Sequence, residues 1–143
     1  MELVVELSSV EATLFVGFRG ESASLYFGQD AAFHFNSRGE LRRAYLHDRL
    51  LKAERGRLVA MRRERSATEV SLVSQVLGEA EEQSLLTDLE RRLAELAAAL
   101  AANAFRIVGQ IPAKGNAVER LRQWLAARVG AIVVASAPNV GRE

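Results

Sequence analysis

The chain contains no cysteine. That excludes disulfides, thiolate zinc sites, iron–sulfur clusters and cysteine nucleophiles, and it fits a reducing compartment such as the cytoplasm. No apolar run approaches the roughly 20 residues of a spanning helix; Ala131–Ala135 is among the longest. The N-terminus carries Glu2 and Glu6 and lacks the basic stretch of a secretory signal. Charge of one sign is also lacking. The net charge is +1, so there is no global basic signal for nucleic acid. Among motifs, no Gly-x-Ser-x-Gly elbow, His-Glu-x-x-His pair or EF-hand loop occurs. Gly109–Asn116 lacks the Gly-x4-Gly-Lys-Ser/Thr spacing of a phosphate loop. These absences leave no catalytic residue, metal ligand set or cofactor site to name, and an enzyme is not expected.

What is present suits one globular domain. The 143 residues are 49% hydrophobic and 26% charged, enough for one core of ordinary size and not two. Charge is segregated: Arg38–Arg65 holds ten basic residues against four acids, and Glu79–Glu95 six acids against two bases. Of the 19 basic residues 17 are arginine. A GC-rich coding sequence would also enrich arginine, so this alone does not indicate phosphate binding.

Turn chemistry organises the first half. Arg19-Gly20, Gly28-Gln29-Asp30, Arg38-Gly39, His47-Asp48 and Arg55-Gly56 fall between short runs that include β-formers, at spacings of about eight to ten residues. They predict an antiparallel β-meander. Val70, Leu72 and Val76 alternate with polar residues and extend it over Glu69–Leu77, although Ser66-x-x-Glu69 also resembles a helix capping box. Leu85, Leu89, Leu93, Leu96 and Leu100 then form one helical stripe, with Glu79, Glu81 and Glu82 at its start and Asn103 as a C-cap. Phe105–Gln110 reads as a strand. Asn116, with Glu119 as capping partner, starts a helix to Arg128 that presents Val118, Leu121 and Leu125. Ala131–Ala135 is a candidate last strand.

The expected fold is therefore one α+β domain over residues 1–135. A meander of six to eight short strands, open or partly closed into a barrel, occupies 1–77. A helix-strand-helix-strand succession follows over 79–135, and 136–143 is a flexible tail.

Closing the turns assigns a register. Phe18 then faces Glu21, Leu14 faces Leu25, Phe33 faces Ala44 and Ala53 faces Leu58. One face collects Leu14, Val16, Phe18, Leu25, Phe27, Phe33, Phe35, Leu46, Leu51 and Leu58, a core face. The other carries the row Phe15, Ser24, His34, Arg43, Lys52, Val59 beside the row Thr13, Tyr26, Ala32, Tyr45, Leu50, Met61, with Arg57 and Arg63 extending it. Cations next to aromatics on a sheet are the pattern of single-strand nucleic-acid binders. Hence His34, Arg43, Lys52, Arg57, Tyr26 and Tyr45 are the candidate ligand-binding residues. Two plainer explanations compete: a half-solvated face whose long cationic side chains lie over their neighbours, or a face covered by the leucine helix. The second histidine, His47, would lie opposite Asp30, a His–carboxylate pair with no third ligand.

Two functions follow. The first is a non-catalytic binding or scaffold protein that acts through a protein partner or as a homo-oligomer. The second is weak binding of single-stranded nucleic acid or another anionic ligand on the cationic and aromatic face.

Overall fold

The computed structural model describes residues 1–8 and 12–136. Most of the expected tail, residues 137–143, lies outside them. Strands β1 (Glu2–Leu7), β2 (Ala12–Arg19), β3 (Ser22–Phe27), β4 (Ala31–Phe35), β5 (Leu41–Leu46), β6 (Arg49–Glu54), β7 (Arg57–Arg65) and β8 (Val70–Val76) run consecutively. Helix α1 (Glu79–Ala101), strand β9 (Phe105–Ile111) and helix α2 (Ala117–Arg128) complete the chain. All strands lie in one nine-stranded sheet ordered β8-β7-β6-β5-β4-β3-β2-β1-β9. The meander thus runs unbroken over eight strands, and β9 returns to pair antiparallel with β1. The sheet stays open, with β8 and β9 as its edges.

The turns explain the meander. His47 and Asp48 at φ 53 and 58, and Arg55 and Gly56 at φ 53 and 79, provide the paired positive-φ residues that match a two-residue turn to strand twist. At the β4–β5 turn the Asn36 side chain does the work. Its Oδ1 accepts the backbone N–H groups of Arg38 (3.0 Å) and Glu40 (2.9 Å), which accounts for a buried polar residue there. Ser66 and Glu69 form a turn rather than a helix cap, Ser66 N–H donating to Glu69 O at 2.9 Å, so Val70–Val76 is free to be a strand.

The register agrees with the turn-based reading from Phe27 to Leu58, including His34 opposite Arg43 and Arg43 opposite Lys52. It differs at the first turn. There Phe18 pairs with Ala23, Val16 with Leu25 and Leu14 with Phe27, because the chain reverses at Gly20-Glu21. The shift is two residues, so every side chain keeps its face. Gly17, not Phe15, faces Ser24, and Phe15, not Thr13, faces Tyr26. A β-bulge also interrupts β4–β5: Phe35 pairs with Leu41 and His34 with Arg43, which leaves Arg42 as an extra residue.

The core lies on one face, the inner one. Every residue of the expected apolar set is buried except Phe27, which is half-buried, and β1 adds Leu3, Val5 and Leu7. The whole leucine stripe of α1 is buried against it. Glu79, Glu81 and Glu82 sit in the first turn of α1, where the helix dipole favours acids. Asn103, at φ 54, takes the left-handed position after its end. In α2, Leu121, Leu125 and Trp124 are buried, and the Trp124 ring meets Phe35 edge-on at 4.8 Å. Asn116 makes no side-chain cap bond, and Glu119 instead pairs with Arg122 at 3.7 Å. Residues 131–135 do not form a strand. They make one parallel bridge, Val134 to Leu41, held by Leu41 N–H to Val133 O at 2.7 Å and Ala135 N–H to Leu41 O at 2.9 Å.

Candidate functional site

Both helices take the inner face, so neither covers the outer face of the meander. Tyr26, Arg43, Tyr45, Leu50 and Lys52 are exposed there, and His34 is half-buried. The row across β2 to β7 runs Gly17, Ser24, His34, Arg43, Lys52, Val59.

The six candidate residues divide. His34 and Arg43 sit together over β4 and β5, where a shallow pocket of about 240 Å³ is lined by Gly17, Arg19, Ser22, Ser24, Phe35, Arg42 and these two. The bulge explains its chemistry. An extra residue breaks the in–out alternation, so consecutive Arg42 and Arg43 both line one pocket. Ser24 Oγ lies 2.9 Å from His34 Nδ1. Burial, then the guanidinium groups of Arg43 and Arg42, hold the His34 ring below its ordinary titration range.

The other candidates each contact a neighbour outside that pocket. Lys52 lies 3.9 Å from Glu54. Arg57 reaches round to α1, donating to Glu82 at 2.7 Å and to Leu77 O at 3.2 Å. Tyr26 is held edge-on between Phe15 (5.8 Å) and His34 (5.5 Å). Tyr45 donates to Asp48 at 3.1 Å. Both tyrosines remain part-exposed, at 38% and 37%. Arg19 and Arg42 belong to the site and escaped the sequence reading. The available signal was Leu41-Arg42-Arg43-Ala44, where apolar residues fall three apart although strand alternation puts them two apart.

His47 pairs not with Asp30 but with Asp88 of α1, Nε2 to Oδ2 at 3.3 Å. Burial would raise the Asp88 carboxyl; the hydrogen bond from Arg91, with the charges of Arg92, Arg91 and His47, outweighs it and holds Asp88 below the usual carboxylate range. With Arg49–Glu81 and Arg57–Glu82, this pair ties the first half of α1 to the β5–β7 region. Among the described residues no cluster of three or more His, Asp or Glu could hold a metal ion. None of their helices is long and apolar enough to cross a membrane.

The free edge of β8 is a second candidate surface. Its burial is low along its whole length, and Val70, Leu72 and Val76 are 56%, 62% and 69% exposed on the outer face. Opposite them on β7 stand Arg65, Arg63 and Val59.

No protein-family model, no curated protein and no solved structure matches this chain.

Proposed function

We propose that the chain is a non-catalytic binding or scaffold protein that acts by joining a second copy of itself along β8. The observation that supports this reading is the chemistry of that edge. An edge strand presents a row of unpaired backbone donors and acceptors, and monomeric proteins blunt such edges with charge, proline, bulges or cover. Val70–Val76 has no charged residue, no proline and no glycine, and no bulge interrupts its pairing with β7.

The strand is also close to self-complementary. Antiparallel pairing about Val73 sets Val70 against Val76 of the second copy, Ser71 against Gln75, Leu72 against Ser74 and Val73 against Val73. Opposed residues in a sheet share a face, so the exposed Val70, Leu72 and Val76 of both copies line up on one side of the joined sheet, with Ser74 between them. A two-fold axis closes the assembly at two chains, whereas an edge joined to a different edge would continue into a filament.

Light scattering tests the proposal. The expected mass is twice the 15.7 kDa of one chain. Val73→Lys places two like charges opposite each other and returns the mass to one chain, as does Val73→Asp alone; an equal mixture of the two restores the dimer. A single-chain mass at all concentrations, or a dimer indifferent to Val73→Lys, overturns it.

A further inference from the structure

We propose that the pocket at the β5 bulge, lined by Arg19, Arg42, Arg43, His34 and Ser24, binds the phosphate-monoester group of a small molecule. The first reason is uncompensated charge. Half of the arginines of the described chain are paired: Arg38, Arg49, Arg57, Arg62, Arg91, Arg92, Arg106 and Arg122 each lie within ion-pair distance of a carboxylate. Arg19, Arg42 and Arg43 appear in no such pair, and no carboxylate lines the pocket they share. The nearest acid by register is Glu2, opposite Gly17 at the end of the row away from Arg43. Three arginines thus line one pocket that has no acidic residue in its lining.

The second reason is that donors are left over. Arg42 Nε is buried without a hydrogen-bond partner. His34 uses Nδ1 toward Ser24, and no group of the described residues bonds Nε2. Guanidinium forks match phosphate oxygens in pairs, and hydroxyl and imidazole groups add single bonds.

The third reason is shape. Gly17 forms one wall, and a Cβ built there would meet only the Phe15 ring, at 3.8 Å. The missing side chain is what leaves the space open. At about 240 Å³ the pocket falls below the roughly 300 Å³ at which sites for drug-sized ligands begin. It suits a compact head group whose carrier extends into solvent. A nucleic-acid strand needs a continuous cationic track with stacking rings. Here Arg57 is turned to Glu82 at 2.7 Å, Lys52 lies 3.9 Å from Glu54, and Tyr26 and Tyr45 contact His34 and Asp48. The site lies over β2–β5, away from β8, so the inference does not depend on self-association.

Phenyl phosphate titrated against the full chain, followed through the His34 ring resonances by NMR, tests it. We expect saturable shifts and an upward move of the His34 titration midpoint in the bound state, because a dianion favours the imidazolium. Gly17→Val fills the pocket without changing charge and abolishes saturation. Arg42→Gln, removing a charge-assisted hydrogen bond, weakens binding about tenfold or more. Circular dichroism establishes that each variant is folded; if Gly17→Val is not, Arg42→Gln combined with Arg43→Gln takes its place. Shifts that stay linear in ligand, or saturable binding that survives Gly17→Val, overturn the proposal. So does tighter binding of an oligothymidylate without terminal phosphates that is lost on Lys52→Ala.

Discussion

Burial and the guanidinium groups of Arg43 and Arg42 hold the His34 imidazole below its ordinary value of 6.5. The groups facing the ring are Ser24 and Tyr26 from β3, and Arg42 and Arg43 from β5, with Arg19 of β2 in the same pocket; none is an acid. The unfolded chain therefore takes up a proton at a higher pH than the folded one. The neutral ring's contribution to stability is whole above pH 6.5 and is lost as the pH falls through the lower folded midpoint. Urea unfolding in phosphate-free buffer, from about pH 7.5 down to about pH 5, should show stability falling with acidification, and His34→Gln should flatten that slope. A slope unchanged in the variant would place its origin elsewhere. At this scale the sequence placed His34 beside Arg43, since turn chemistry and pairing parity suffice for that. It could not reveal that Arg57 is paired, because Glu82 is 25 residues from Arg57 and meets it only through the packing of α1.

Helix α1 is the element that makes the meander a domain. A sheet with one apolar face needs a partner for that face, and the stripe Leu85, Leu89, Leu93, Leu96 and Leu100 supplies it. Leu93 is fully buried near the middle. Leu93→Ala should cost about 2–5 kcal/mol, as lost transfer energy plus a cavity, measured by chemical denaturation; a loss under about 1 kcal/mol would mean that the site collapses around the smaller residue. The stripe, both helices and the positions of the turns were legible because each rests on a local signal: leucines at helical spacing, a positive-φ residue, alternation of period two. Two features were not. Reversal at Gly20-Glu21 rather than Arg19-Gly20 moves β3 by two residues, and a two-residue shift leaves every apolar residue on the same face, so the pattern cannot distinguish the two registers. The pairing of β9 with β1 joins Leu7 to Phe105, and nothing local to either strand encodes it.

For the whole molecule, order is distributed unevenly across the sheet. Strands β2 to β4 are buried on alternate residues, as is β5 on either side of its bulge, whereas from Arg62 to Val76 every described side chain is exposed except Val73, which is half-buried. Few buried contacts mean a low free energy of local opening. Trypsin at low protein concentration should therefore cut first after Arg62, Arg63 or Arg65, with the two fragments identified by mass. Pairing of β8 with a second copy would slow that cleavage as concentration rises. First cuts within β2–β5 would contradict this gradient. The open edge follows from strand order: an eight-strand meander leaves one end for β9 to cover at β1 and, among the described residues, no strand for the other.

The bulge carries one implication for how such a chain can change over generations. Deleting a single codon within a strand ordinarily turns the rest of that strand over, apolar side outward, and selection removes it. Arg42 is a position where loss of one residue does the opposite: Leu41 stays opposite Phe35, Arg43 stays opposite His34, and the ladder becomes regular. One insertion could have created the arginine pair in an ancestor that already had the sheet, and one deletion could erase it while leaving the fold in place.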